Sequence, residues 1–170
     1  MGIVAERDLL HASPSDVTTL SVWELNYLLS KVKVKDVMTP QVVTVTTDTP
    51  LEDAARIMAD NRVGGLPVTR DSEVVGIITE TDLFKVFLEM LGGRETGVRA
   101  AVLVHDKPGT LAQLTKAVYE VGGNVIALGT FLGESSENRE VALKVTALDT
   151  AALRTALEPA VAKILDIRNT

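Results

Sequence analysis

The sequence of 170 residues contains no cysteine and only two histidines, His11 and His105. Without cysteine there is no disulfide bond, no thiolate metal ligand and no cysteine nucleophile, and this absence fits a reducing compartment. The net charge is −6, and the lysines and arginines form no cluster. Because binding to a phosphate backbone needs concentrated positive charge, the composition argues against a nucleic-acid partner.

Long apolar runs are also missing. No segment approaches the ~20 residues that a membrane-spanning helix needs, and no apolar leader followed by a small-residue cleavage site stands at the start. We therefore expect a cytoplasmic protein with no membrane partner. Hydrophobic residues make up 46% of the chain and charged residues 24%, which is typical of one large or two small globular domains.

Motifs of catalysis and metal binding are absent as well. The sequence has no HxE or HExxH spacing, and the glycines at 92, 93 and 97 precede no Lys-Ser/Thr pair of a phosphate-binding loop. His105 has no partner nucleophile, and we interpret it as structural. We predict no enzyme, no catalytic residue, no metal site and no cofactor.

An internal repeat is the most informative feature that is present. Residues 2–10 (GIVAERDLL) return in altered form as residues 76–84 (GIITETDLF). The second copy closes a longer unit that begins near residue 34, whereas the first copy stands at the start of the chain. Because repeats are built from whole supersecondary units, a complete first unit would need about 39 further residues upstream. We therefore expect residues 1–32 to be the C-terminal remnant of a first unit plus a connector helix.

Local patterns predict an α+β fold. Ser21 and Glu24 have the spacing of a capping box and open the connector helix. Residues 33–91 indicate the order β-α-β-β-α, with strands at 42–46, 66–69 and 74–78, a helix with Pro50 at its first position that ends at the glycines 64 and 65, and an apolar helix at 82–91.

Beyond the glycine pair 92–93, which we interpret as the start of a flexible joint that runs to about residue 97, the pattern restarts. Strands at 98–104, 124–132, 141–147 and 163–168 alternate with helices at 108–121 and after Asp149. This order, β-α-β-β-α-β, is the ferredoxin-like arrangement. We expect residues 98–170 to form a separate domain.

Residues 33–91 resemble a CBS domain through residues 37–40 (VMTP), 63–68 (VGGLPV) and 76–82 (GIITETD). Residues 98–168 resemble an ACT domain through residues 106–111 (DKPGTL) and 122–125 (GGNV). The combination is similar to acetoin-utilisation accessory proteins of the AcuB type. This resemblance implies a non-catalytic regulatory protein with an adenosine-type ligand (AMP, ATP or S-adenosylmethionine) and an ACT module for dimerisation or amino-acid binding.

The CBS resemblance also implies a nucleotide site. Thr79 and Asp82 stand where a helix begins, and its free amides together with a threonine hydroxyl can hold a phosphate. The same residues fit a simple capping box. In the first copy Ala5 replaces the threonine while Asp8 remains, so Asp8 is a weak candidate. The implied nucleotide-binding residues are Thr39, Val42, Val63, Gly64, Gly65, Pro67, Thr79 and Asp82.

The ACT resemblance implies that a loop leading into a helix receives a small amino acid. The anionic Asp106 suits an ammonium group but would repel a carboxylate placed too close. The alternative is that Asp106 and Pro108 only initiate the helix and that the glycines 122 and 123 only end it. The implied amino-acid-binding residues are Asp106, Gly109, Thr110, Leu111 and Asn124.

Three functions therefore stay open. The first is a regulatory sensor with a nucleotide ligand and an unknown protein target. The second is an adaptor whose modules bind no ligand and serve oligomerisation. The third is a small enzyme of acetoin or amino-acid metabolism, which has only the family context behind it. The helix at 82–91 is apolar on most of its circumference, which predicts a homodimer because one small unit cannot cover it.

Overall fold

The computed structural model describes residues 2–13 and 19–170 and divides the chain into two compact units, residues 1–79 and 80–170. Residues 14–18 of the predicted connector lie outside the described residues. The two sheets, one in each unit, confirm the predicted α+β class. The predicted domain boundaries at 32, 91 and 98 stay a prediction.

The first unit contains a three-stranded sheet in the order β1-β2-β3. Strands β1 and β2 are parallel and are joined through helix α4, whereas β2 and β3 form an antiparallel hairpin. At its turn Asp71 and Ser72 both have positive φ, 49° and 70°, which suits a two-residue hairpin loop. The elements are α1 (Glu6–Ala12), α2 (Val22–Leu29), α3 (Val34–Val37), β1 (Val45–Thr46), α4 (Leu51–Asn61), β2 (Gly65–Arg70) and β3 (Glu73–Thr79).

Helix α2 begins as predicted. The Glu24 carboxylate accepts a hydrogen bond from the Ser21 amide at 2.9 Å, and the Ser21 hydroxyl accepts one from the Glu24 amide at 3.4 Å. These two bonds satisfy amides that the first helical turn would otherwise leave unpaired. The predicted capping box is confirmed.

Helix α4 differs from the prediction at both ends. Pro50 is extended (ψ 150°) and precedes the helix instead of opening it, while the Thr49 hydroxyl accepts from the Thr46 amide at 3.0 Å and closes a turn. The helix ends at Asn61, where Arg62 turns left-handed with φ 54°. The glycine pair therefore does not end the helix, and Gly65 already belongs to β2. The predicted strand at 42–46 is also shorter, only Val45–Thr46.

The core of the first unit is small. Its buried apolar residues are Val45, Ala54, Met58 and Leu66. Strand β3 leaves Val74, Val75 and Ile77 more than half exposed. A sheet face of this kind lacks the apolar cover that usually stabilises a strand.

The second unit contains a four-stranded sheet in the order β5-β6-β4-β7, and all its neighbouring strands are antiparallel. This order and the helices between the strands confirm the ferredoxin-like prediction. Asp149 caps α7 as predicted, because its carboxylate accepts from the Ala152 amide at 2.8 Å. The elements are α5 (Glu80–Met90), β4 (Val98–His105), α6 (Thr110–Glu120), β5 (Asn124–Leu132), β6 (Asn138–Thr146), α7 (Thr150–Leu157), a 3-10 turn (Glu158–Ala160) and β7 (Lys163–Asn169).

A continuous apolar core lies between this sheet and the helices α6 and α7. Alternate residues of β4 and β6 point into it because successive side chains of a strand face opposite sides. Leu114, Leu153 and Leu157 from the two helices are fully buried against them. This packing fixes where β4 ends and α6 begins, and the candidate site of this unit lies there.

Candidate functional site

In the first unit, Thr39 pairs with the beginning of the chain. The Ile3 amide donates to the Thr39 carbonyl at 3.1 Å, and the Thr39 amide donates back to the Ile3 carbonyl at 2.9 Å. The two bonds form an isolated antiparallel bridge. The nearby Val42 is half-buried.

The segment from Val63 to Pro67 leads from α4 into β2. The Val63 amide donates to the Met58 carbonyl at 3.1 Å, which ties the segment to the end of the helix. Gly64 is exposed before the strand begins. Gly65 then pairs with Thr79 and Pro67 with Ile77 across the hairpin. The register therefore brings Gly65 and Thr79 of the predicted nucleotide site together.

Thr79 is the last residue of β3, and Asp82 lies in the first turn of α5. Both side chains are half-buried. Asp82 forms an ion pair with Lys85 over 3.5 Å, and its side chain stays 47% exposed. The carboxylate is thus near the start of a helix of 11 residues, where the helix dipole stabilises negative charge.

Asp8, the counterpart of Asp82 in the first copy, serves as a helix cap. Its carboxylate accepts from the Ala5 amide at 2.8 Å, at the start of α1. Ala5 itself contributes no side-chain hydrogen bond there. The aspartate of the first copy therefore acts as a helix cap. Helix capping is the alternative to nucleotide binding for the same motif in the second copy.

In the second unit, an open cavity of about 530 Å³ lies where β4 passes into α6. We call it the β4–α6 cavity. Four residues of the predicted amino-acid site line it: Asp106, Gly109, Thr110 and Leu111. Helix α6 begins at Thr110 and not at Pro108 as predicted, since Gly109 in the left-handed conformation (φ 87°) precedes it. The Thr110 amide donates to the Lys107 carbonyl at 3.2 Å. The two amides that follow, of Leu111 and Ala112, have no acceptor within the helix and therefore suit an anion.

The sequence did not indicate Arg139, which also lines the cavity. Its guanidinium Nε donates to the Asp106 carboxylate Oδ2 at 3.0 Å. Both side chains remain more than 40% exposed, so water and a ligand can reach them. His105, Lys107 and Thr130 complete the polar lining. The pair offers one group for a carboxylate and one for an ammonium ion.

Asn124 does not reach this cavity within one chain. It begins β5 and pairs with Thr146, whereas Thr130 of the same strand lines the cavity. Six strand positions separate the two, about 20 Å at ~3.3 Å per residue. The structure therefore brings together four of the five predicted amino-acid-binding residues.

Within residues 2–13 and 19–170, no group of three or more histidine, aspartate or glutamate side chains is placed to hold a metal ion. None of the helices in that part of the chain has the length and apolar character needed to cross a bilayer.

Two family models match successive parts of the chain. A family model for the CBS domain matches residues 34–89. A family model for the TTHA0829-like ACT domain matches residues 96–168. The chain therefore carries a CBS domain followed by an ACT domain, and the prediction of both domains is confirmed.

Three known proteins are similar to parts of this chain. Homoserine O-acetyltransferase of Methanosalsum zhilinae is 44% identical over 87 residues, which are 48% of this chain and 18% of that protein. The solved structure of CBSX2 in complex with AMP is 34% identical and covers 51% of this chain and 61% of its own, with a TM-score of 0.39. A Vibrio cholerae structure named as the acetoin utilization protein AcuB is 30% identical, with coverages of 55% and 62% and a TM-score of 0.41. The chain spans less than two thirds of each of these proteins.

Proposed function

We propose that this chain is a non-catalytic regulatory protein. Its CBS domain binds an adenosine nucleotide such as AMP, ATP or S-adenosylmethionine, and its ACT domain binds a free amino acid or joins two copies of the chain. The nucleotide acts as a regulatory ligand and not as a cofactor. The protein that it regulates is a partner still to be identified, and we place the chain in the cytoplasm.

One observation carries the nucleotide proposal: Thr79 ends a strand directly before the 11-residue helix α5, with Asp82 in its first turn. A threonine hydroxyl and the first amides of a helix are donors for a phosphate. A carboxylate two positions into that helix can accept from ribose hydroxyls. Gly65, paired with Thr79, has no side chain, which permits a close approach to its backbone.

The amino-acid part of the proposal rests on the β4–α6 cavity. Arg139 can bind a carboxylate in a bidentate manner, and Asp106 can accept from an ammonium group. A free amino acid carries both charged groups on the same carbon atom. Arg139 thereby removes the difficulty that a carboxylate at position 106 alone would pose for such a ligand.

The nucleotide proposal can be tested on the full chain by thermal unfolding with AMP, ATP and S-adenosylmethionine. Asp82→Ala should remove the ligand-induced rise in melting temperature, because binding to the folded state alone stabilises it. Asp53→Ala is a matched control: Asp53 lies in the first turn of α4, 46% exposed, and pairs with Arg56 as Asp82 pairs with Lys85.

Unchanged melting of the wild-type protein with all three nucleotides would refute the proposal for these ligands. An equal loss of the shift in the Asp53 variant would show that the effect is not specific to the predicted site. Retention of the full shift after Asp82→Ala would remove Asp82 from the site.

A ligand-free adaptor is the second candidate. Its support is the exposed apolar surface of α5, where Phe84 and Met90 are 67% and 66% exposed. Such a surface favours a partner, and a second copy of the chain is the simplest one. The enzyme alternative has no comparable observation in its support.

A further inference from the structure

Lys144 is the buried charged side chain of the described residues, with only 5% exposed. It lies on β6, on the sheet face opposite the core formed with α6 and α7. Its ammonium group donates to the backbone carbonyl of Gly92 at 2.8 Å and to that of Glu95. No carboxylate among the described residues is within ion-pair distance of it. Burying a lysine ammonium group costs free energy, and hydrogen bonds such as these two reduce that cost.

The bonded segment is the end of helix α5. The Gly93 amide donates to the Leu88 carbonyl at 2.7 Å and the Gly92 amide to the Glu89 carbonyl at 3.0 Å, the two bonds of a Schellman motif. Gly92 has φ 59°, the left-handed conformation that this motif requires. The glycine pair is therefore an ordered helix end and not the flexible joint that the sequence predicted.

Lys144 completes this helix end from the sheet. The motif satisfies the carbonyls of Leu88 and Glu89, and the Gly92 carbonyl accepts both from the Glu95 amide at 3.1 Å and from the lysine. A positive charge at the C-terminal end of a helix also interacts favourably with the helix dipole. The contact is close, since a Cβ on Gly92 would lie 3.2 Å from Cδ of Lys144.

A second contact supports the same docking. Leu91 packs over β5, where a Cβ on Gly129 would meet its Cδ2 at 3.2 Å. Helix α5 closes the match to the CBS family model, which ends at residue 89, yet its C-terminal end is fastened to the ACT sheet. Asp82 lies in the first turn of the same helix.

We propose that Lys144 is a positioning residue that holds the last CBS helix, α5, against the ACT sheet, and we call this contact the latch. Through the latch, a ligand bound at the start of α5 affects the ACT domain. The latch itself needs no ligand. The sensing rests on the proposed nucleotide function, because two sites are coupled only if both bias the same structural element.

Hydrogen–deuterium exchange on the full, ligand-free chain tests the latch. Lys144→Met keeps the apolar stem and removes the donors. We expect the amides of residues 88–95 to exchange about tenfold faster, because hydrogen bonds from charged donors are among the stronger ones. Those of β4 should be unchanged. Lys163→Met, at the exposed start of β7, should leave both segments unchanged.

Gly92→Ala disturbs the same contact from the side of the helix. It tests the latch if Lys144→Met does not fold. It should loosen the same residues, and the double variant should add little to either change. Unchanged exchange at 88–95 in the folded variants would overturn the proposal. An equal rise in β4 would also overturn it, since Lys144 would then stabilise the whole domain.

The second measurement is hydrogen–deuterium exchange in the presence of AMP. In the wild type AMP should slow exchange in both 80–90 and 91–97. In Lys144→Met the affinity for AMP should stay within about twofold while the protection of 91–97 is lost. Protection of 91–97 that persists in this variant would overturn the sensing step. Failure of the wild type to bind AMP would count against the nucleotide function, and the ligand-free comparison would still decide on the latch.

Discussion

The Arg139 guanidinium Nε lies 3.0 Å from the Asp106 carboxylate Oδ2, at the lining of the β4–α6 cavity. The two residues are 33 positions apart in the sequence. The antiparallel register of β4 and β6 pairs Val104 with Arg139 and so brings the arginine to the residue that follows the strand. A cavity with both charges suits a ligand that carries both.

Arg139→Ala should weaken the binding of a free amino acid to the full chain by at least about tenfold, because an Arg–carboxylate pair is a strong, charge-assisted contact. Calorimetric titration with the twenty standard amino acids identifies the ligand and then measures the variant. Arg139→Lys should recover part of the affinity, since it keeps the charge and loses the bidentate geometry.

Arg168→Ala is the control for this experiment. Arg168 pairs with Asp166 at 2.7 Å on β7 and does not line the cavity. Its loss should leave amino-acid affinity unchanged. If no amino acid binds the wild type, or if Arg139→Ala binds as tightly as the wild type, the cavity does not have this role.

Light scattering should give a mass of twice the 18.2 kDa chain at micromolar concentration. Phe84 and Phe87 are one helical turn apart on α5 and are 67% and 52% exposed. Replacing both by Glu should shift the protein to the monomer, because two buried charges on each side would oppose the interface. Tyr119→Glu, at a position 76% exposed on α6, should leave the mass unchanged. A monomeric wild type would contradict the predicted homodimer.

Leu114→Ala should lower the free energy of unfolding of the second unit by about 2–5 kcal/mol, the usual cost of a cavity in a packed core. Leu114 is fully buried, whereas Leu132 at the end of β5 is 85% exposed. Leu132→Ala should therefore cost less than about 0.5 kcal/mol. Urea denaturation followed by circular dichroism measures both. Similar costs for the two variants would mean that the core is not where the structure places it.

Helix α2 should lose stability in acid. The hydrogen bonds from the Ser21 hydroxyl and the Ser21 amide hold the pKa of Glu24 below its ordinary value of 4.5. A carboxyl group whose pKa is lower in the folded than in the unfolded protein stabilises the fold at pH values above its unfolded pKa. This stabilisation is lost as the pH falls through its folded pKa. An NMR titration of Glu24 should show the lowered pKa, and Ser21→Ala should bring it closer to the ordinary value. A Glu24 pKa at its ordinary value in the wild type would contradict the capping box.

Local signals account for what could be predicted. The capping boxes, the hairpin turn at Asp71 and the alternation along β4 and β6 depend on residues close in sequence. They indicated the order of the strands and of the longer helices correctly, but not the short helix α3 (Val34–Val37). The errors also have local causes: Pro50 can precede a helix as well as open it, and two adjacent glycines suit an ordered helix end as well as a joint. The nucleotide-binding residues stay a prediction, although the register places Gly65 beside Thr79.

By itself the sequence determined the two domain types, their order and the order of most elements, because patterning and turn chemistry act over a few neighbouring residues. Only the tertiary structure decided which distant groups meet: Arg139 with Asp106, Lys144 with Gly92, and Asn124 away from the cavity. The physical reason is strand register. A shift of one position would turn Lys144 into the apolar core and carry Arg139 away from Asp106, and no local pattern contains that information.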